Sequence, residues 1–236
     1  MPSAMNPWIV LAAVIGPAVF WIGYFYFKDR RRPEPIAHLF EAFGLGFLAA
    51  FFCFLAYGLL PRIGIPGSFH AVVAAGDPLT LLLYSVGIVG LLEETFKFIP
   101  FALVILRLRA FDEKIDGVIY ASAIAVGFAS FENIGYLPFM KGWELVGRAI
   151  ASPLTHTIFA SIWGYMVGVA KIKGKPLAGP AAAGVALSAI VHGLFNFLTI
   201  SPSLRGLSAL LILVIWIWVI RLLEKEGRRA SRDAAA

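Results

Sequence analysis

The 236 residues are 60% hydrophobic and 14% charged, with a mean hydropathy of +0.84 and a formal charge of +6. Soluble domains carry roughly a quarter charged residues, so these values exclude an ordinary soluble enzyme. They imply an all-α, polytopic membrane bundle, because only helices or closed barrels satisfy their backbones in lipid.

Seven stretches are predicted to span, at 8–27, 36–60, 79–106, 117–139, 152–170, 177–199 and 207–222. Each approaches or exceeds the roughly 17–25 residues that a bilayer requires. Fifteen basic residues fall in the connections after the first, third, fifth and seventh stretches, and four lie on the opposite side. The excess of Lys and Arg predicts an N-terminus outside and a C-terminus in the cytoplasm. The sequence reads as one membrane-embedded domain over 1–223, with a core at 79–199 and a polar cytoplasmic tail at 224–236. The bilayer is the expected surroundings, and nothing in the charge distribution calls for nucleic acid. The single cysteine, Cys53, lies inside the second stretch and reads as a small apolar residue.

In the first and seventh stretches, Trp8, Trp21, Tyr24, Trp216 and Trp218 suit interfacial anchoring and lipid contact. The fourth and sixth are rich in Gly, Ala and Ser, which let helices approach closely. Stretches three to six are therefore expected at the centre, with the first, second and seventh outside.

The third stretch holds Glu93, Glu94 and Lys97 with no other charge between 79 and 106. A charge at bilayer depth costs roughly 2.5–3.5 kcal/mol on insertion scales, so such residues mark function or a buried pair. Pro100 is expected to bend this helix, and Asp77 before Pro78 to cap it. The fourth stretch adds Phe128, Glu132, Asn133 and Tyr136. His156 is placed near the outer end of the fifth, and His192 and Asn196 share a face of the sixth. Counting 1.5 Å per residue puts Glu132 and His192 in the outer half of the membrane, so a polar pocket opening outward is expected.

Three spaced motifs emerge: Glu93-Glu94-x-x-Lys97, Phe128-x-x-x-Glu132-Asn133-x-x-Tyr136 and His192-x-x-x-Asn196, with His156 between the last two. This ordered set resembles the PrsW family of intramembrane proteases, within the superfamily of CAAX prenyl endopeptidases and Abi-like proteins. The endopeptidases carry a histidine where Glu132 stands and an arginine near Lys97, which favours the PrsW branch. The resemblance implies a metalloprotease that cuts membrane-anchored proteins, such as anti-sigma factors, on the extracytoplasmic side in signalling.

The residues themselves fit two ways of activating water. A carboxylate withdrawn from water holds a proton more readily, which suits a general base. Glu93 is assigned that role, Glu94 orients or shares the water, and Lys97 balances charge. His192 and Asn196 donate to the oxyanion. In the other scheme a divalent metal, zinc by ligand type, is held by Glu132, His156 and His192. Phe128, Asn133 and Tyr136 are supporting residues. A proton- or ion-coupled transporter is the alternative reading, since such relays also use intramembrane Glu, Lys and His.

Overall fold

The computed structural model describes residues 6–28, 32–201 and 203–233, without the side chains of residue 227 and of 229–233. The described residues are mostly helical and contain no strand. Helix α1 is Pro7–Lys28, α2 Ile36–Leu59, α3 Phe69–Ala75 and α4 Pro78–Tyr84. Next come α5 Leu91–Leu103, α6 Asp116–Tyr136, α7 Gly142–Ile172, α8 Ala178–Ile200 and α9 Arg205–Asp233. A π-helical turn, Ser85–Gly90, joins α4 to α5, so one helical rod covers the predicted third stretch.

Among the described residues, five helices are long and apolar enough to cross a membrane: Pro7–Lys28, Ile36–Ile63, Asp116–Phe139, Ala178–Ile200 and Arg205–Glu226. The rod through α4 and α5 is interrupted by its π turn. Helix α7 is long but carries Glu144, Arg148 and Lys171, which lower its hydropathy.

Asp77 caps α4 as expected, accepting from the Thr80 N–H at 2.9 Å. The Thr80 hydroxyl and backbone N–H together hold the Asp77 carboxyl below its ordinary range. Before it, α3 ends at Gly76, whose φ of 75° is the left-handed turn that glycine adopts without strain. Pro100 lies inside α5, which runs on to Leu103; the irregularity of this rod falls upstream, at the π turn.

Helix α6 is the centre of the bundle, buried without a break from Asp116 to Ser130. Its backbone lies directly against α7: a Cβ on Gly117 would stand 2.1 Å from the Gly164 carbonyl oxygen. Helix α2, expected outside, packs as closely on the other flank. A Cβ on Gly46 would fall 1.9 Å from the Ile124 carbonyl oxygen, and one on Gly127 2.0 Å from that of Phe43. Small residues at matched depth, rather than mean hydropathy, decide this placement. Helix α8, expected at the centre, is buried along one face only, with Leu187 and Ile190 exposed on the other.

The aromatic anchors divide. Trp8 is exposed, whereas Trp21 is buried, donates to the Ile150 carbonyl at 3.1 Å and meets the Trp216 ring edge-on at 5.7 Å. Trp21 therefore packs α1 to α7 and α9 instead of facing lipid. An indole N–H finds a partner in the protein when its ring is drawn inside.

The basic connections gather at one end of the bundle. Arg32 pairs with Glu113 at 2.8 Å and Asp112 at 3.1 Å, and Lys171 donates to the Phe111 carbonyl at 2.9 Å. Lys114 lies 3.7 Å from Glu226 of α9, which continues as helix through the predicted polar tail to Asp233.

Candidate active site

The polar residues of α5, α6, α7 and α8 meet in one cluster, at the end of α6 away from those connections. The π turn helps to bring them there. It lies flat against α8, where a Cβ on Gly90 would stand 2.2 Å from the Ala189 carbonyl oxygen. A Cβ on Gly193 would stand 2.4 Å from that of Ser85. Backbones this close leave only short side-chain reaches, so Glu94 and His192 meet directly. A π turn also rotates the next helical segment relative to a regular helix, and Glu93 is only three residues beyond its end.

Glu94 is fully buried and every oxygen is engaged. Its Oε1 accepts from Lys97 Nζ at 2.6 Å and pairs with His192 Nδ1 at 2.9 Å; its Oε2 accepts from Trp163 Nε1 at 3.0 Å. It therefore holds Lys97 and His192 in place. Lys97, also fully buried, donates on to His156 Nδ1 at 2.8 Å and stands 4.6 Å over the Phe128 ring.

Hydrogen-bond logic assigns the imidazoles. An ammonium only donates, so His156 Nδ1 accepts and its proton sits on Nε2, directed at Glu132 Oε2 3.0 Å away. His192 directs Nδ1–H at Glu94, which leaves a lone pair on Nε2, 3.8 Å from Glu93 Oε2. In its neutral form His192 presents an acceptor toward Glu93; the oxyanion role expected of it calls for a proton on Nε2.

Glu93 differs from its neighbour. Its Oε1 accepts from the Tyr57 hydroxyl of α2 at 3.2 Å, while its buried Oε2 has no hydrogen-bond partner. Lys97 Nζ is 4.0 Å from Oε2, outside bonding distance. A buried carboxylate oxygen without a donor is costly, and here it faces the His192 lone pair.

One ligand atom each from Glu93, His156 and His192 lies within 4.8 Å of the others, a grouping that could hold a metal ion. The expected set named Glu132 where the structure brings Glu93. Glu132 lies behind His156 and also reaches Arg148 at 3.3 Å. The donor chemistry suits a divalent metal. Each imidazole has one nitrogen backed by a carboxylate, Glu94 for His192 and Glu132 for His156, as metal-binding histidines commonly do. Glu93 Oε2 and His192 Nε2 are free to coordinate, whereas His156 Nδ1 would first have to release Lys97.

The remaining expected residues are more peripheral. Tyr136 stacks under Arg148, whose Cζ is 4.0 Å from the ring centroid, and lies 6.4 Å from the His70 ring. Asn133 is buried with its Oδ1 unpartnered. Asn196, one turn beyond His192, is half-buried and makes no hydrogen bond among the described residues. His156 is not near a helix end: α7 begins at Gly142, so the residue lies about 21 Å along it at 1.5 Å per residue.

Tyr57, Trp163 and Arg148 also contact the cluster, though no sequence motif marks them. Trp163 and Tyr57 look like ordinary bilayer aromatics until their partners are known. Arg148 was counted with the outer connections because the first turns of α7 are not apolar.

Comparison with known proteins agrees with this constellation. Residues 34–223 match the PrsW family of intramembrane metalloproteases. A protein named Protease PrsW from Oceanobacillus iheyensis is 31% identical over 218 residues, covering 90% of this chain and 93% of that protein. Proteins of the same name from Geobacillus kaustophilus and Bacillus subtilis are 27% and 25% identical. They cover 96% and 94% of this chain and 95% and 96% of their own lengths. No solved structure matches significantly. The chain belongs to the PrsW family of intramembrane metalloproteases and is a multi-pass membrane enzyme of that type.

Proposed function

We propose that this enzyme cleaves a membrane-anchored protein near the extracytoplasmic face, with Glu93 as the group that activates water. The single observation carrying this reading is the Glu93 carboxylate: Oε1 is tethered, and Oε2 is buried, without a hydrogen-bond partner, and 3.8 Å from His192 Nε2. A water between them would give one proton to Glu93 Oε2 and direct its other hydrogen at His192 Nε2. Its oxygen then forms a bond to the scissile carbonyl carbon. As the C–N bond breaks, Glu93 returns the proton to the leaving amine.

Other residues hold this arrangement. Glu94 fixes the ring of His192 and balances Lys97. Glu132 orients His156, and Arg148 steadies Glu132. Asn196, one turn from His192, is the donor assigned to the oxyanion. Phe128 and Asn133 pack the α6 wall, and Tyr136 with Arg148 forms its mouth.

A divalent metal, zinc by ligand type, would be held by Glu93, His156 and His192. When bound it would supply Lewis-acid polarisation and make the water more acidic. Lys97 and such an ion compete for His156 Nδ1, so the two schemes differ in where Lys97 points.

The topology that accompanies this reading has seven spans, with the rod through α4 and α5 and helix α7 joining the five apolar ones. The N-terminus is outside, by the fifteen-to-four split of basic residues. One membrane domain covers 1–223, with the catalytic core at 79–199 and a cytoplasmic tail at 224–236. That orientation puts the Tyr136 and Arg148 mouth outside, where a single-pass protein such as an anti-sigma factor would present its juxtamembrane segment.

The test is cleavage of a panel of co-expressed single-pass proteins, including anti-sigma factors. Glu93→Gln should lower cleavage by about 10²–10⁴-fold, the usual contribution of a general base, at unchanged expression. Wild-type cleavage by that variant would refute the assignment. Metal content of the purified enzyme, with activity measured after chelation, separates the two schemes: full activity in a metal-free sample sinks the zinc version.

A further inference from the structure

We propose that Tyr57, on a helix that carries none of the motif residues, is a positioning residue that locks the Glu93 carboxylate in its working orientation. The inference rests on Glu93 being the base.

The terminal torsion of a glutamate is broad and nearly two-fold, so a carboxylate without a fixed donor exchanges its two oxygens freely. Glu93 has one donor within bonding distance, the Tyr57 hydroxyl at 3.2 Å on Oε1. Its other polar neighbours, His192 Nε2 at 3.8 Å and Lys97 Nζ at 4.0 Å, both lie beside Oε2 and beyond bonding reach. The Tyr57 bond therefore distinguishes the oxygens, engaging Oε1 and leaving Oε2 as the basic one.

Tyr57 is itself held from three directions. Its ring packs on the cluster of Ala49, Ala50, Cys53 and Phe128, alongside Leu92 and Phe96 of the glutamate helix. The Leu60 N–H bonds to its carbonyl at the end of α2. Gly67 of the following loop passes so near that a Cβ there would stand 2.8 Å from the same oxygen. The depth of α2 is set by the Gly46 and Gly127 contacts with α6. A donor fixed this firmly selects one carboxylate orientation before any substrate arrives, which is where preorganisation helps catalysis.

The test uses the full-length enzyme in detergent with a purified single-pass protein that the wild type cuts. Tyr57→Phe keeps the ring and removes the hydroxyl. We expect kcat to fall about 10- to 100-fold, the range for losing one hydrogen bond to a charged group, with KM unchanged and Tm lower by only the few degrees that one lost bond explains. The infrared band of the Glu93 carboxyl, identified from the Glu93→Gln difference spectrum, should shift in Tyr57→Phe. Tyr57→Ala should lose stability as well, because the ring packing goes with it. A Phe variant with wild-type kcat and an unshifted band would overturn the proposal. So would a fall in kcat that merely tracks loss of folded protein with the band in place. Should Glu93→Gln stay fully active, the reading of Glu93 itself fails; an inactive Glu93→Gln beside a wild-type Tyr57→Phe sinks only the role of Tyr57.

Discussion

Neutralising Glu94 tests the electrostatic core of the site. In Glu94→Gln the buried Lys97 loses a carboxylate 2.6 Å from its nitrogen, and the nearest remaining one is Glu93 Oε2 at 4.0 Å. At an effective dielectric of about 20, those distances correspond to roughly 6 and 4 kcal/mol of attraction. The attraction to Glu93 is present in the wild type as well, so the variant forfeits the whole Glu94 contribution, offset in part by relaxation of the site. A loss of about 3–5 kcal/mol, the usual result of breaking a buried pair, is expected. For a chain of this size it corresponds to a Tm lower by about 6–20 °C. Cleavage should fall as well, since Lys97 is drawn onto the oxygen that must accept a proton. The assay is thermal unfolding and substrate cleavage of Glu94→Gln, Lys97→Met and the double variant, in the same detergent. Removing both charges leaves no unpaired ion, so the double variant should be more stable than the two single losses added together predict. Strict additivity, or a Gln variant as stable as wild type, would refute the pairing.

The packing and the mouth of the site give two more expected outcomes. Gly193→Ala puts a methyl 2.4 Å from the Ser85 carbonyl oxygen, against backbone that cannot swing aside. It should cost about 1–3 kcal/mol by overpacking and separate His192 from Glu94, read as lower Tm and lost cleavage. Gly179→Ala on the same helix meets open space and is the control. Arg148→Ala removes the ion pair to one oxygen of Glu132 and should lower kcat about 10-fold, or about 1.4 kcal/mol. Arg148→Lys should recover only part of that, because an ammonium cannot stack flat on Tyr136 while reaching Glu132; full recovery would mean that charge alone matters.

How much of this was legible in the sequence depends on what each residue's signal is. The helices were, because an uninterrupted apolar run in lipid has few other ways to satisfy its backbone. The cluster was as well: charged residues stranded in such runs are conspicuous by cost alone, and their spacing showed which ones share a helix face. The π turn was not, since the residues of Ser85–Gly90 read like those of a regular helix and their close contact with α8 leaves no mark in the pattern. Tyr57 was hidden among the phenylalanines of α2, where a hydropathy pattern cannot tell a ring facing lipid from one whose hydroxyl reaches a carboxylate on another helix. Arg148 was misplaced because the mixed composition of 142–151 reads as a connection, although the structure continues α7 through it. Each miss is an interaction between elements, and periodicity within one element carries no record of it.

The paired glutamates are chemically unequal, and on the proposed reading the inequality gives each a separate role. Glu94 accepts from Lys97 and Trp163, holds His192, and is sealed from solvent. A carboxylate so satisfied is a poor base, but it is an effective anchor for an ammonium and an imidazole that would otherwise be mobile. Glu93, the preceding residue, points a different way round the helix, and a single phenolic hydroxyl restrains it. Adjacent positions on an α-helix diverge by about 100°, so one carboxylate can face the packed junction with α7 while the other faces the space before His192. The same sequence pair therefore builds the support and the reactive edge from one turn of helix. Their separation also fixes the lone pair on His192: Glu94 takes Nδ1–H, and Nε2 is left facing Glu93. Exchanging the roles would require α5 to rotate against α8, which the backbone contact at Gly90 and Ala189 forbids. If Glu93 is the base, the small residues at that crossing serve the same chemistry through geometry, by holding α5 against α8.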